Sequence, residues 1–329
     1  MGKNSMNKPL LIAKRTFKYL MQTLKGTQQA SWKSLIEGIS IDLERQSMYE
    51  SVLKHYPDNS PESKKYKDEL NYIKHKRSFF VSPYEPFRML PHPEAGFDKE
   101  VQLPYILHNK KRLYFPESWT IKEMTEYYIH AISTENILAT ENPFMPKTPH
   151  RYQTPLHKIE DGDILIDAGT AEGLFTLDNI ETVEKAIIVE CDKQWLKPLK
   201  QTFLPYSEKV EIVFKMLGAR DDTNTISLPT IIKKESGKHF FVKMDIEGAE
   251  VACLKASIEY LKTCNRNIKL SCCTYHNNED YTQISTILDK IGFHQECSDG
   301  YMLIYDYKSQ RPFFRHGVIR GTLSHSTNP

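Results

Sequence analysis

Three short strand-like segments along the chain each lead to an acidic residue. They cover residues 164–166, 185–189 and 239–244, the acids are Asp167, Glu190 and Asp245, and the first segment is continuously apolar. Continuous apolar runs of this length are typical of strands buried on both faces of a parallel sheet. Ligands of open α/β sheets bind outside the carboxyl ends of the strands, so we expect the three carboxylates to line one crevice.

Helical and strand patterns alternate from residue 162 to residue 307. Further strands are expected over 210–215 and 268–274, and helices follow most of the strands. The runs 293–296 and 301–307 flank Asp299-Gly300, a pattern that predicts a closing antiparallel hairpin. The alternation predicts an α/β fold with a Rossmann-like sheet of seven strands, mostly parallel, joined by right-handed crossovers.

The first 110 residues have a different, mainly helical pattern. Residues 8–25 predict an amphipathic helix, which favours packing on its own domain, with contact to an anionic membrane surface as the alternative. Helices are also expected over 31–56 and 64–77. The segments around residues 105–115 predict a β-hairpin, and Thr120 begins a capping-box helix.

These patterns predict four regions. They are a helical region with the start of the hairpin (1–110), the end of the hairpin with a helix and a Pro-rich connection (111–147), the α/β core (148–310) and a loose, basic tail (311–329). The sequence leaves both a monomer and a homo-oligomer open.

The composition of the chain mainly argues against certain classes of protein. Apolar residues make up 40% of the 329 and charged residues 26%, while a formal net charge of +2 gives no general argument for nucleic acid or membrane. The six cysteines form no CxxC pair, so we expect reduced thiols and a cytoplasmic protein. No apolar run has the length of a signal peptide or a transmembrane span.

The turn after the first core strand indicates the ligand. Gly169 and Gly173 allow close approach of a ligand to the backbone. A dinucleotide site requires G-x-G-x-x-G, whereas this turn is G-x-x-x-G and contains Glu172, which repels a second anion. Glu190 stands 23 residues after Asp167, as expected of a ribose-binding acid. S-adenosylmethionine, with its sulfonium, amino group and ribose, fits this pattern.

Five segments resemble known methyltransferases. Residues 167–173 look like motif I of class I S-adenosylmethionine-dependent methyltransferases, and residues 241–250 resemble the FkbM family signature (I/L)-K-(I/M)-D-(V/I)-E-G-A-E. The other matches are Leu217-Gly218-Ala219, residues 149–152 and Tyr275-His276. Many family members have Ala-Asn where this chain has Thr170-Ala171.

The resemblance implies O-methylation of a hydroxyl on a saccharide, a glycan or a small metabolite. The residues that we expect to bind the cofactor are Asp167, Gly169, Thr170, Glu172, Gly173, Glu190, Cys191, Gly218, Ala219 and Asp245. Those expected near the acceptor are His150, Arg151, Tyr152, Glu247 and Tyr275.

Asp245 and His276 are the candidate catalytic residues. Either can accept the hydroxyl proton, and Asp245 can instead bind a divalent metal that lowers the pKa of the hydroxyl. Residues 247 and 250 are also candidates for capping the following helix.

Other functions remain open at this stage. One is a partner-binding protein without activity on the same fold, although the acids at all three strand ends argue against it. A nicotinamide-dependent oxidoreductase is disfavoured by the missing middle glycine. A nucleic-acid methyltransferase is disfavoured by the near-zero net charge and by the absence of an Asn-Pro-Pro-Tyr motif.

Overall fold

The computed structural model describes residues 43, 46–76, 83–84, 93–135, 148–306 and 311–324. The chain divides into two compact units, one formed by residues 1–83 and 303–313 and the other by residues 84–302 and 314–329. Within the described residues of the first unit, 46–55 are helical and two short helices follow. The predicted helix over 8–25 and most of the one over 31–56 lie outside the described residues.

The helices and strands are numbered in chain order. The helices are α1 (Pro61–Lys65), α2 (Lys67–Lys76), α3 (Ile121–Glu135), α4 (Leu174–Asn179), α5 (Lys193–Thr202), α6 (Leu228–Lys234), α7 (Glu250–Thr263) and α8 (Asp280–Ile291). The strands are β1 (Ala95–Asp98), β2 (Leu103–His108), β3 (Lys111–Tyr114), β4 (Ile164–Ala168), β5 (Lys185–Val189), β6 (Val210–Val213), β7 (Met216–Gly218), β8 (Thr225–Ser227), β9 (His239–Met244), β10 (Asn267–Cys273), β11 (His294–Cys297), β12 (Met302–Asp306), β13 (Arg311–Arg315) and β14 (Val318–Leu323).

The second unit contains the predicted seven-stranded sheet. Its order is β11-β14-β10-β9-β4-β5-β6, and the five strands from β10 to β6 are parallel. Both neighbours of β4 are mostly apolar strands that are buried after their first residue, as expected of strands covered on both faces. The Rossmann-like α/β fold predicted from the sequence is therefore confirmed.

The antiparallel edge of the sheet differs from the prediction. β11 pairs with β14 rather than with residues 301–307, and β12 pairs with β13 in a separate two-stranded sheet. The prediction of a loose tail from residue 311 is also wrong, because β14 lies between β10 and β11. A closing antiparallel pair is present, but its strands are 20 residues apart along the chain.

Two residues explain why β14 was missed. Arg320 places a charge in the middle of the strand, yet its side chain is buried and its Nε donates to Glu296 Oε1 at 2.6 Å. Gly321 weakens the strand pattern, but a Cβ at this position would lie 2.9 Å from the ring of Phe293. Both residues are explained by contacts outside the strand, and without knowledge of those contacts the segment has the composition of a polar tail.

Alternate residues of the parallel strands supply two cores. Ile164, Ile166 and Ala168 face the core that α6, α7 and α8 cover. Leu165 faces the other core, which contains side chains from α3, α4 and α5. This two-sided burial fixes the register of β4 and places the glycine turn directly after its carboxyl end.

The predicted hairpin and helix precede the sheet in the chain. β2 and β3 form the hairpin, and β1 extends it to three strands. Thr120 and Glu123 form the expected capping box, with the Glu123 backbone N–H 3.2 Å from Thr120 Oγ1 and the Thr120 N–H 2.8 Å from Glu123 Oε2. The Tyr114 backbone N–H donates to Thr202 Oγ1 at 3.0 Å, which ties the hairpin to α5.

Membrane-spanning helices are not found among the described residues, since none of those helices combines sufficient length with sufficient apolar character.

Candidate active site

The ends of three adjacent strands meet at the glycine turn after β4. Ala168 is level with Val189 of β5 and with Met244 of β9, so the acids that follow those strands flank the turn. Gly169 has a φ of +70°, and a Cβ there would lie 1.6 Å from the carbonyl oxygen of Asp245. Only glycine allows this approach of two backbone segments.

Glu190 is fixed by three backbone N–H groups. Its Oε2 accepts from Ala171 at 2.9 Å, and its Oε1 accepts from Cys191 and Asp192 at 2.7 Å each. A carboxylate offers about four lone pairs, so a further hydrogen bond remains available. The side chain is 8% exposed, and its position beside the glycine turn is the one expected of the ribose-binding acid.

Asp167 is turned into the protein rather than towards the crevice. Its side chain is completely buried, Oδ2 accepts from the Thr176 hydroxyl at 2.7 Å, and Oδ1 lies 3.2 Å from Lys243 Nζ. The Lys243 ammonium also donates to the Gly169 carbonyl at 2.7 Å. Asp167 therefore stabilises the turn indirectly, because its ion-pair partner Lys243 is also hydrogen-bonded to the turn.

Lys243 was not predicted as a site residue. Burial lowers the pKa of its ammonium, but the charges of Asp167 and Asp245 outweigh burial and raise that pKa above its ordinary value. A lysine inside an apolar strand is the available sequence signal, because a buried lysine requires a carboxylate partner.

Glu172 is a buried carboxyl group inside the turn. The Tyr127 hydroxyl of α3 donates to its Oε2 at 2.9 Å. Burial, together with the charge of Glu135 at the end of α3, raises the pKa of Glu172 to about 7. A cationic ligand beside this group would stabilise its ionised form. Tyr127 and Glu135 were not predicted, since the contact joins segments about 40 residues apart.

Asp245 is surrounded by four polar side chains. Tyr152 donates to its Oδ2 at 2.9 Å, and Tyr275 donates to both oxygens at 3.1 Å. His150 Nε2 lies 3.5 Å from Oδ2 and His276 Nε2 lies 3.4 Å from Oδ1. Burial raises the pKa of Asp245, but His150 and the nearby cations outweigh it and hold this pKa well below its usual range.

His276 lies between carboxylates. Its Nδ1 is 3.1 Å from Glu250 Oε1, and its Nε2 is 3.7 Å from Glu247 Oε2 in addition to the Asp245 contact. Burial lowers the pKa of His276, whereas the adjacent Glu250 and the other carboxylates raise it above its ordinary value. Glu250 is completely buried and also accepts from the Ile246 backbone N–H at 2.8 Å.

The contact of Glu250 with His276 was not predicted from the sequence. Glu250 was considered only for a capping role, yet it contacts His276 from the start of α7. Glu247, in contrast, has a φ of +56° and a side chain that is 93% exposed.

The remaining predicted residues are less closely connected to Asp245. The Thr170 hydroxyl donates to the Asp167 carbonyl, Cys191 is exposed, and Gly218 ends β7 with Ala219 exposed beyond it. Gly173 has a φ of +87° and packs against Phe203. Arg151 lies beside Arg320, which donates to the Arg151 backbone carbonyl at 2.8 Å.

The sheet order and the glycine turn define a Rossmann-like fold of the methyltransferase type. Residues 184–301 match the family model described as "Methyltransferase FkbM domain". This match confirms the resemblance to the FkbM family that the motifs predicted. The matched region includes Glu190, Asp245 and His276, and begins after the glycine turn.

Solved structures with similarity to the chain include three methyltransferases. The FkbM methyltransferase from Methylobacillus flagellatus is 18% identical over 61% of this chain and 53% of that one, with a TM-score of 0.40. This chain thus spans about half the length of that protein. Precorrin-6Y C5,15-methyltransferase from Geobacter metallireducens is 12% identical over 51% of this chain and 82% of that one, with a TM-score of 0.34. A putative RNA methyltransferase from Pyrococcus horikoshii is 13% identical over 50% of this chain and 75% of that one, with a TM-score of 0.32. A comparison with curated proteins finds no match.

Proposed function

We propose that the chain is an S-adenosylmethionine-dependent O-methyltransferase that acts on a hydroxyl of a saccharide, a glycan or a small metabolite. The observation that carries the proposal is the position of Glu190, locked beside the glycine turn by three backbone N–H groups. The class of acceptor comes from the family resemblance. The chain is expected to work in the cytoplasm, because all six cysteines, each within the described part of the chain, are free thiols.

The residues of the crevice fit this cofactor. Glu190 retains acceptor capacity for ribose hydroxyls, and Gly169 keeps the floor of the turn free of side chain. Glu172 is a buried carboxyl group with a pKa of about 7, so an ammonium or sulfonium beside it would favour its ionised form. When bound, S-adenosylmethionine supplies an activated methyl group on a positively charged sulfur.

The side chains around Asp245 would hold the acceptor. Tyr152 and Tyr275 fix the carboxylate by hydrogen bonds, and His150 and His276 flank it. Alignment of a hydroxyl oxygen with the methyl carbon lowers the barrier by an amount that reaches about 7–11 kcal/mol in well-oriented systems. As the oxygen–carbon bond forms and the carbon–sulfur bond breaks, the hydroxyl loses its proton.

Asp245 and His276 are the groups proposed to act on that proton. The sequence left two ways open, proton acceptance by one of these side chains or binding of a cation that acidifies the hydroxyl. Both ways require the same placement of the acceptor, at the carboxyl end of β9 and beside the ends of β4 and β10.

Calorimetric titration with S-adenosylhomocysteine tests the cofactor assignment, with NAD as the control ligand. We expect micromolar binding of the first ligand and no binding of the second. A folded protein that binds NAD and not S-adenosylhomocysteine would make the oxidoreductase alternative the better description. A folded protein that binds neither ligand would favour a partner-binding role.

A further inference from the structure

The carboxylates around His276 form an unusual cluster at the end of β9 and the start of α7. One potential ligand atom from each of Asp245, Glu250 and His276 lies within 4.8 Å of the other two. Glu247 adds a third carboxylate on the solvent side, 3.7 Å from His276 Nε2. Even a protonated imidazole would leave an excess of negative charge in this cluster.

Three buried atoms of the cluster lack a well-aligned hydrogen-bond partner in the described part of the chain. Glu250 Oε2, in a completely buried side chain, has none. Neither ring nitrogen of His276 has one, although carboxylate oxygens lie 3.1 Å from Nδ1 and 3.4 Å from Nε2. Buried polar atoms are almost always paired. One bound ion would supply a partner for Glu250 Oε2 and for one of the two ring nitrogens, since an imidazole binds a given ion through a single nitrogen.

The same distances are normal for two ligands of one metal ion. Imidazole nitrogen and carboxylate oxygen both bind divalent cations at about 2.1 Å, so two ligands at a right angle are about 3 Å apart. The oxygen then lies well off the lone-pair direction of the nitrogen, and the pair fails the geometry of a hydrogen bond. One of the two short contacts of His276, through Nε2 with Asp245 or through Nδ1 with Glu250, can have this origin. The nitrogen that does not bind the ion would donate to the carboxylate beside it, as is usual for metal-bound histidines.

A second group near Asp245 is less suitable for a metal. His150, Asp245 and Cys273 also bring one potential ligand atom each within 4.8 Å of the others. However, the Tyr152 hydroxyl lies 2.9 Å from His150 Nε2 and 3.7 Å from Cys273 Sγ. These two potential ligand atoms already have a hydrogen-bond partner, so this group is less suited to a metal.

We propose that Asp245, Glu250 and His276 bind one divalent metal cation. Two carboxylates and one imidazole suit Mn²⁺ or Zn²⁺ in particular. The inference deepens the proposed function, because the cation would lie beside the position proposed for the acceptor hydroxyl and lower the pKa of that hydroxyl. It also decides between the two roles left open for Asp245 and His276, in favour of metal binding.

Binding of Mn²⁺ to the full chain, measured by electron paramagnetic resonance of the free ion, tests the site without cofactor or acceptor. We expect one strongly bound Mn²⁺ per chain, and binding weakened roughly tenfold to a hundredfold or more in Glu250→Gln and His276→Gln. Glu259→Gln, which removes an exposed carboxylate from the same helix, should leave the affinity unchanged.

Glu247→Gln separates loss of the site from loss of the fold. Its side chain is 93% exposed, so the variant should fold normally and bind Mn²⁺ severalfold more weakly, since one nearby negative charge is lost. Absence of Mn²⁺ binding at millimolar concentration, or equal affinity in His276→Gln and the unmodified chain, would overturn the proposal. Binding of S-adenosylhomocysteine is measured separately, so each proposal can fail without the other.

Discussion

Lys243 Nζ lies 3.2 Å from Asp167 Oδ1 in the interior of the sheet, and the same ammonium donates to the carbonyl of Gly169. The ion pair thus joins β9 to the glycine turn that follows β4. Both side chains are almost completely buried, so neither charge can be compensated by water if the other is removed.

Lys243→Met should therefore destabilise the protein strongly. Removal of one partner from a buried ion pair costs about 3–5 kcal/mol of unfolding free energy, because the remaining charge is left unpaired. Denaturant unfolding measures the effect, and Lys193→Met, at an exposed position, is the control. The double variant Asp167→Asn with Lys243→Met should recover part of the loss. A single variant as stable as the control would contradict the structural role of this pair.

Ala171 offers a stabilising substitution. Its φ of +49° lies in the left-handed region, which costs a residue with a Cβ about 1–2 kcal/mol, whereas asparagine tolerates it better. Ala171→Asn should raise the melting temperature by roughly 2–4 °C. Ala256→Asn, at an exposed position within α7, should lower it because asparagine is a weaker helix former. A fall in melting temperature for Ala171→Asn would contradict the inference that the left-handed conformation of Ala171 destabilises the fold.

Glu172 should make stability depend on pH in a particular direction. Its pKa is about 7 in the folded chain and 4.5 in its ordinary environment. Between these values the folded state holds a proton that the unfolded state has released, so the unfolding free energy falls as pH rises from about 4.5 to about 7. In Glu172→Gln this contribution disappears.

The measurement is the difference in unfolding free energy between the unmodified chain and Glu172→Gln across that pH range. Glu208→Gln, at an exposed position, is the control for the substitution itself. A difference that stays constant with pH would mean that Glu172 is already ionised over the whole range.

Glu190→Gln tests the ribose contact. The substitution keeps the size of the side chain but removes the charge, and hydrogen bonds to a charged acceptor contribute about 1.5–3 kcal/mol. We expect S-adenosylhomocysteine to bind roughly tenfold more weakly or worse in calorimetry. Because the same carboxylate accepts three backbone N–H groups, circular dichroism must show that the variant is folded. Unchanged affinity in a folded variant would remove Glu190 from the cofactor site.

The parallel half of the fold could be predicted because its signals are local. Three of the five parallel strands, β4, β5 and β9, are mostly apolar and lead to an acid, and this pattern does not depend on distant residues. The same is true of the capping box at Thr120. β14 could not be predicted because its character depends on contacts made elsewhere, the pairing of Arg320 with Glu296 and the packing of Phe293 on Gly321.

The residues of the candidate site can also be separated into those with a local sequence signal and those that depend on contacts between distant segments. The acids at the strand ends and the glycine turn were visible in the sequence, and the structure brings them together. The partners that determine their charge state were not visible, because Lys243, Tyr127 and Glu250 act through contacts between separate segments. Sequence motifs thus located the strand ends and the glycine turn, but they did not show that Asp167 is completely buried.

The position of β14 also affects how the chain can fold during synthesis. β10 and β11 are made before β14, and each of them pairs with β14 rather than with the other. Until residue 323 has left the ribosome, β10 therefore presents an unpaired edge of the kind that promotes association between chains. Such long-range strand pairing is intrinsically slow, so the nascent chain has a period of exposure to aggregation that a hairpin between neighbouring strands would have avoided.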